Sequence, residues 1–295
     1  MAEPSNLVPA PSGLREIHQR MKALAGVARL PLRSGQWRGS AGIVLGQGTG
    51  SSIDFQDQRP YVPGDDPRHI NWQAYARTGS YTMKLFREEV SPRVDLLFDI
   101  SPSMFLTESK AKRTWELFYF CLESALHLGA TVRVQALGAK AAEVPLSRIL
   151  AYDWNLEVAT AGPLAEMLSR SGLRQGSLRI FLSDLLSPAP PEGVVPVLVA
   201  GKGKPIVLAP FCPEEQSPAW DGNIEFEECE TGFRNRRRVE KSTLERYLKA
   251  YQIHFALWRE QCARHHTPMA RVSSEGDLLQ AFRGEAFAAG CIEIG

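Results

Sequence analysis

The chain has almost no excess of one charge. Over 295 residues, 34 lysines and arginines face 33 aspartates and glutamates, a net charge of +1. A strong non-specific nucleic-acid binder is normally visibly basic, so that class is not expected. No stretch of roughly 18 apolar residues occurs, so no membrane-spanning helix is expected either. The opening MAEPSNLVPAPSG lacks the basic-then-apolar order of a secretory signal. Cysteine is scarce: Cys121, Cys212, Cys229, Cys262 and Cys291 form no C-x-x-C, and the nearest pair lies 17 residues apart. An odd, scattered set reads as reduced thiols filling the core of a cytoplasmic protein. A phosphate loop is also missing. The stretches Gly46-Gln47-Gly48-Thr49-Gly50 and Gly201-Lys202-Gly203-Lys204 lack its G-x-x-x-x-G-K-[ST] form and read as turns. Any use of a nucleotide would therefore belong to a partner.

What is present is an ordinary globular supply of residues. Apolar types make up 44% and charged types 23%, enough for a sizeable core and one to two domains. Residues 1–12 hold three prolines and read as a tail. Leu14, Ile17, Met21, Leu24 and Val27 then follow at helical steps, so 1–32 is a tail with an N-terminal helix. Residues 33–92 are rich in Gly, Ser, Arg and aromatics, with short β-like pieces such as Ala41–Leu45 and Tyr81–Phe86. They read as a small, irregular, β-rich module. From 93 to 295 apolar strands alternate with helices: Val94–Asp99, a helix from Lys110 to Leu128, Thr131–Leu137, a short helix over Leu164–Leu168, Leu178–Asp184, a short helix over Val194–Ala200, and Pro205–Ala209. Ile224–Glu227 is β-like, with its turn at Glu230-Thr231-Gly232-Phe233. A long helix spans Ser242 to His265, with Ser242 and Glu245 spaced as a capping box. A strand over Pro268–Val272 and a helix over Gly276–Ala288 follow. This alternation predicts an α/β fold built on a doubly wound, mostly parallel sheet.

In such sheets functional groups gather at the carboxyl ends of strands, near the topological switch point. Asp99 and Asp184 both end strands. Asp99-Ile100-Ser101-Pro102-Ser103-Met104 has the form D-x-S-x-S. A carboxylate leaving a strand and two hydroxyls at alternate positions of the next turn can face one point. Hard oxygen ligands of this kind suit Mg²⁺, with Mn²⁺ or Ca²⁺ as substitutes, and need not be occupied in every preparation. The plainer alternative is a strand-to-helix turn capped by Asp99. Two further clusters read as structural: Arg234-Asn235-Arg236-Arg237-Arg238 as a solvated basic face, and His265-His266 at a helix C-terminus.

Asp99, Ser101 and Ser103 resemble the metal-ion-dependent adhesion site of von Willebrand factor type A domains, and Leu182-Ser183-Asp184 is similar to that fold's later aspartate motif. The resemblance implies a threonine ligand between the two motifs, for which Thr160 is the nearest match. The upstream module carries a second resemblance. Arg59-Pro60-Tyr61-Val62-Pro63-Gly64-Asp65-Asp66-Pro67-Arg68-His69-Ile70-Asn71-Trp72, then Ala76-Arg77-Thr78-Gly79 and Glu88-Glu89, is similar to the signature of the domain-of-unknown-function 58 family. That resemblance covers about residues 35 to 290. It implies a type A-like domain joined to this module, acting as an adaptor for a MoxR-type AAA+ ATPase. Taken by themselves, Pro63-Gly64-Asp65-Asp66 form a turn. Arg59, Arg68 and Arg77 can pair with its carboxylates, and Tyr61 and Trp72 can anchor it from beneath, so the module reads as a small hydrogen-bonded structural unit, with a partner-docking surface as the alternative.

Three functions compete at this point. The first is a non-enzymatic adaptor that captures a partner's carboxylate through the metal. The second is a Mg²⁺-dependent hydrolase using Asp99 and Asp184, which lacks an obvious general base near the strand ends. The third is an interaction scaffold with no bound metal.

Overall fold

A computed structural model describes residues 8–31, 53–88, 92–154, 163–188, 190–229 and 232–295. The expected features at residues 1–7, Ala41–Leu45, Gly46–Gly50, Glu89, Thr160 and Glu230-Thr231 lie outside the described residues. The chain divides into two units, one of Met1–Trp37 with Pro92–Gly295, the other of Arg38–Ser91.

Helix α1 (Pro11–Leu24) and strand β1 (Ala28–Arg29) open the larger unit. The smaller unit holds β2 (Ile53–Pro60), α2 (Trp72–Thr78) and β3 (Thr82–Glu88). The larger unit resumes with β4 (Arg93–Asp99), α3 (Glu108–His127), β5 (Thr131–Leu137), β6 (Ala141–Val144), α4 (Leu146–Leu150) and α5 (Leu164–Arg170). Next come β7 (Leu178–Leu182), α6 (Pro191–Val199), β8 (Lys204–Phe211) and the short α7 (Pro213–Gln216). The chain closes with β9 (Gly222–Glu227), β10 (Arg234–Val239), α8 (Lys241–Arg264), β11 (Met269–Ser273), α9 (Leu278–Gly284) and β12 (Glu293–Ile294).

The larger unit is mixed α/β. Its six-stranded sheet has the order β11-β8-β7-β4-β5-β6, parallel throughout except for β6. The central strands are apolar on both faces, as a sheet covered by helices on both sides requires. Leu96, Phe98, Ile180, Leu182, Ile206 and Leu208 face a core shared with α1, α3 and α9. Leu97, Phe181, Val207 and Ala209 face a second core built with α5, α6 and α8. Around Phe98 the first core is aromatic, with Trp115, Phe118 and Trp154 rings 4.9 to 6.3 Å from it. Asp95, also in β4, is fully buried. It accepts bonds from the Arg174 side chain (2.7 Å), the Arg174 backbone N–H (3.0 Å) and the Ser177 hydroxyl (2.7 Å), which makes it a structural clamp at the strand's amino end.

The chain leaves β4 for β5 on one side and returns to β7 on the other. The carboxyl ends of β4 and β7 therefore flank the topological switch point, where α/β sheets open a crevice.

Two local expectations change. The N-terminal helix stops at Leu24, leaving Val27 exposed, and it is no appendage: Leu14, Ile17 and Met21 are buried against α3. His18 stacks on Tyr119 and its Nε2 lies 2.6 Å from Glu123, while Arg20 reaches Glu116. Helix α3 carries buried residues all round because α1 covers its outer face. Helix α8 begins at Lys241, with Glu240 at the N-cap and no side-chain cap, so the capping box at Ser242 and Glu245 does not form. The basic run Arg234–Arg238 is a solvated face, as expected, and forms strand β10, paired antiparallel with β9. There Arg236 meets Glu225 at 3.0 Å and Arg234 meets Glu227 at 3.2 Å, cross-strand partners that the alternation of β9 supplies.

In the smaller unit β2 and β3 pair antiparallel, from Pro60 opposite Thr82 outward. Asp66 caps a single 3₁₀ turn over Pro67–His69, and Asn71 caps α2 through the Ala74 N–H. Helix α2 ends at Gly79 in the left-handed region (φ 68°), a backbone state that favours glycine.

Candidate functional site

Strand β4 delivers Asp99 to this end of the sheet, and a tight turn delivers the two serines. Asp99 and Ser101 are buried; Ser103 is partly exposed. Asp99 Oδ1 accepts the Ser101 backbone N–H at 2.9 Å, which folds the turn back onto the strand end. The Ser101 and Ser103 hydroxyl oxygens lie 3.1 Å apart. From β7, Ser183 donates its hydroxyl to Asp99 Oδ2 at 2.6 Å and accepts the Leu185 N–H at 3.1 Å. Ser183 thus ties the two strand tips together. Asp184 follows, its backbone N–H directed at the Met104 sulfur, 3.0 Å away. Exposed leucines stand after each tip, Leu106 and Leu186.

The largest surprise is Lys110. Its ammonium is completely buried and donates to Asp184 Oδ2 at 2.8 Å and to Glu215 Oε1 at 2.6 Å. Burial alone would lower its pKa; the charges of Asp184 and Glu215 outweigh that and hold the lysine protonated. Glu215 sits on α7, just past the end of β8. Burial raises its pKa, against the pull of Lys110. Among the described residues Asp99 has no such cation. Burial first, and the neighbouring Asp184 charge second, push it up to about 6, although the Ser183 hydroxyl and the Ser101 N–H favour its ionised form.

Of the expected site residues, Asp99, Ser101, Ser103 and Asp184 come together. Among the described residues no group of three or more His, Cys, Asp and Glu side chains is placed to hold a metal ion. The oxygen donors at the tips are instead two carboxylates and several hydroxyls.

Sequence reasoning missed Lys110, Ser183 as a tie, and Glu215. A signal existed for Lys110: it shares a helical stripe with Thr114, Phe118 and Leu122, all buried, and a lysine on a buried stripe needs an anion. Glu215 follows β8 much as Asp184 follows β7.

The signature residues belong to the smaller unit, where several act structurally. Arg59 clamps Asp65 with two bonds of 2.7 Å, and Asp65 also accepts the Val62 N–H at 2.9 Å. Pro63 and Gly64 form the turn between them, Gly64 at φ 108°. Arg68 pairs with Asp66 at 2.7 Å, and both carboxylates are held below the ordinary aspartate range, chiefly by their arginine bonds, Asp66 at about 2. Two expectations fail. Arg77 is exposed and pairs with neither aspartate, and Trp72, 58% exposed, is no anchor from beneath. Trp72 meets Tyr75 and Tyr81 edge-on, and those two rings stack at 4.5 Å.

No curated protein matches this chain. Two solved structures show similarity to it. One is the conserved hypothetical protein BatB from Bacteroides thetaiotaomicron, at 17% identity and TM-score 0.35, over 68% of this chain and 98% of that one. The other is an aerotolerance-related membrane protein from Bacteroides fragilis with multiple mutations to serines, at 14% identity and TM-score 0.30, over 59% of this chain and 100% of that one. Among the described residues no helix is long and apolar enough to cross a membrane. A family profile matches residues 57–255, well over half of the sequence and spanning both the signature turn and the strand tips, and the chain therefore belongs to the family described as "Protein of unknown function DUF58".

Proposed function

We propose that the chain is a non-enzymatic interaction protein with a von Willebrand factor type A-like larger unit, whose strand-tip crevice binds Mg²⁺ and through it a carboxylate of a protein partner. The donors are Asp99, Ser101 and Ser103, with Asp184 across the crevice. Thr160 remains the expected threonine ligand by resemblance.

The observation that carries this reading is the pair of serine hydroxyls 3.1 Å apart beside a buried carboxylate. Adjacent corners of a Mg²⁺ octahedron with bonds of about 2.1 Å lie about 3.0 Å apart. The charge tally fits as well. Asp99, Asp184 and Glu215 against Lys110 leave two negative charges when Asp99 is ionised, the amount one divalent ion neutralises. Bound Mg²⁺ would supply an open coordination position for an external carboxylate. Asp99 and Asp184 set the local charge, Ser183 fixes the separation of the tips, and Leu106 and Leu186 offer apolar contact. By family resemblance the partner is a MoxR-type AAA+ ATPase, which would provide the nucleotide chemistry.

One observation favours a second reading, a scaffold that needs no metal: Lys110 already gives Asp184 a cation. Calorimetric titration of the chelator-stripped chain with Mg²⁺ and Mn²⁺ separates the two. Saturable heat in wild type, lost in Ser103→Ala and Asp99→Ala, supports the metal site. No heat at millimolar metal rules it out. Capture of the ATPase that withstands both EDTA and Asp99→Ala would show that the partner binds elsewhere.

A further inference from the structure

Between α8, β11 and the segment after α9, the larger unit holds a cleft of about 410 Å³ whose residues take no part in the strand-tip site. It is lined by Leu248, Tyr251 and Phe255 of α8, by Arg271 of β11, and by Arg259 and Glu285. The most buried cation among these is Arg271, 7% exposed. Its guanidinium carbon lies 4.1 Å from the Phe211 ring centroid and 4.2 Å from that of Phe255. Its amino group donates to the Tyr251 hydroxyl.

What Arg271 lacks is an anion. Among the described residues no carboxylate lies within ion-pairing distance of its guanidinium, and its buried Nε has no hydrogen-bond partner. The nearby Glu285 is committed elsewhere. One oxygen takes Arg259 at 2.9 Å, and the other takes the backbone N–H of Arg271 itself at 3.0 Å. A charge drawn out of water without a paired anion costs several kcal/mol, and aromatic faces return only part of that. Arginine does not escape by losing its proton.

The geometry points to a ligand site for a small monocarboxylate with an apolar or aromatic body, its carboxylate on Arg271 and its body beside Leu248 and Phe255. Arg271 and Arg259 against Glu285 leave one positive charge, so a single carboxylate balances the cleft. Its volume lies within the usual range for small-molecule pockets. Planar carboxylate and planar guanidinium match in shape, and the flanking rings keep competing water away.

Benzoate is a suitable probe, with benzamide as its uncharged counterpart, tested on the full chain in EDTA so that the strand-tip reading plays no part. Benzoate should raise Tm saturably at millimolar concentration and give saturation-transfer NMR signals; benzamide should do neither. Arg271→Met should weaken benzoate binding at least tenfold. Leu248→Trp, which fills the cleft and leaves Arg271 in place, should do the same and keeps the test decisive if the methionine variant misfolds. Absence of a benzoate effect, equal effects of benzamide, or full binding by a folded variant of either kind would overturn the assignment.

Discussion

Asp99→Asn gives a test in which removing a charge strengthens the fold. The wild-type carboxyl titrates near 6 in the folded chain, against about 3.9 when unfolded. The folded state therefore holds the proton more tightly. The associated stability is complete below about pH 4 and disappears as pH rises through about 6. Two pH units correspond to about 3 kcal/mol at pH 8. Asparagine carries no charge to bury, but it offers one acceptor oxygen where the carboxylate offers two, so the Ser101 N–H or the Ser183 hydroxyl loses its acceptor, a loss of about 1 kcal/mol. In EDTA at pH 8 the variant should thus be more stable by roughly 2 kcal/mol, and at pH 4 slightly less stable. Urea unfolding followed by circular dichroism at both pH values reads the difference. Millimolar Mg²⁺ at pH 8 should then raise wild-type stability and leave the variant where it was, because only the ionised site gains from the ion. A variant less stable than wild type at pH 8 in EDTA, or a gap that does not change with pH, would refute the reasoning.

Other substitutions follow from the same contacts. Lys110→Met leaves Asp184 and Glu215 buried without their cation and should cost about 3–5 kcal/mol at neutral pH, with part recovered in Lys110→Met/Asp184→Asn; denaturant titration of the cycle checks this. Leu14→Ala, although far from the sheet in sequence, should cost about 2–5 kcal/mol because the side chain is wholly buried against α3; a thermal melt decides. Asp95→Ala strands the Arg174 and Ser177 donors and should destabilise by about 2–4 kcal/mol while leaving Mg²⁺ titration unchanged, since Asp95 sits at the opposite end of β4 from Asp99.

Much of the larger unit was legible because its strands obey a simple rule. Val94–Phe98 and Leu178–Leu182 each carry a single charged residue among apolar ones, a pattern that a sheet covered on both faces accommodates. The switch point between β4 and β7 follows from strand order, and the two aspartates from their places at strand ends. The role of α1 was less legible. Its apolar stripe announces a helix, but what it covers depends on Glu116, Tyr119 and Glu123 of α3, charges and a ring that look solvent-facing in sequence. The basic run of β10 is the solvated face its composition announced, but its pairing with Glu225 and Glu227 across the ladder is set by register rather than by neighbours in the chain. Lys110 was hidden by distance, its anions lying 74 and 105 residues away.

That buried ammonium has a consequence for how the strand tips hold together without an ion. A cluster of carboxylates that relied wholly on a dissolved ion would come apart whenever the ion left. Here one positive charge is covalently part of the chain, so Asp184 and Glu215 keep a cation at hand with no ion in place.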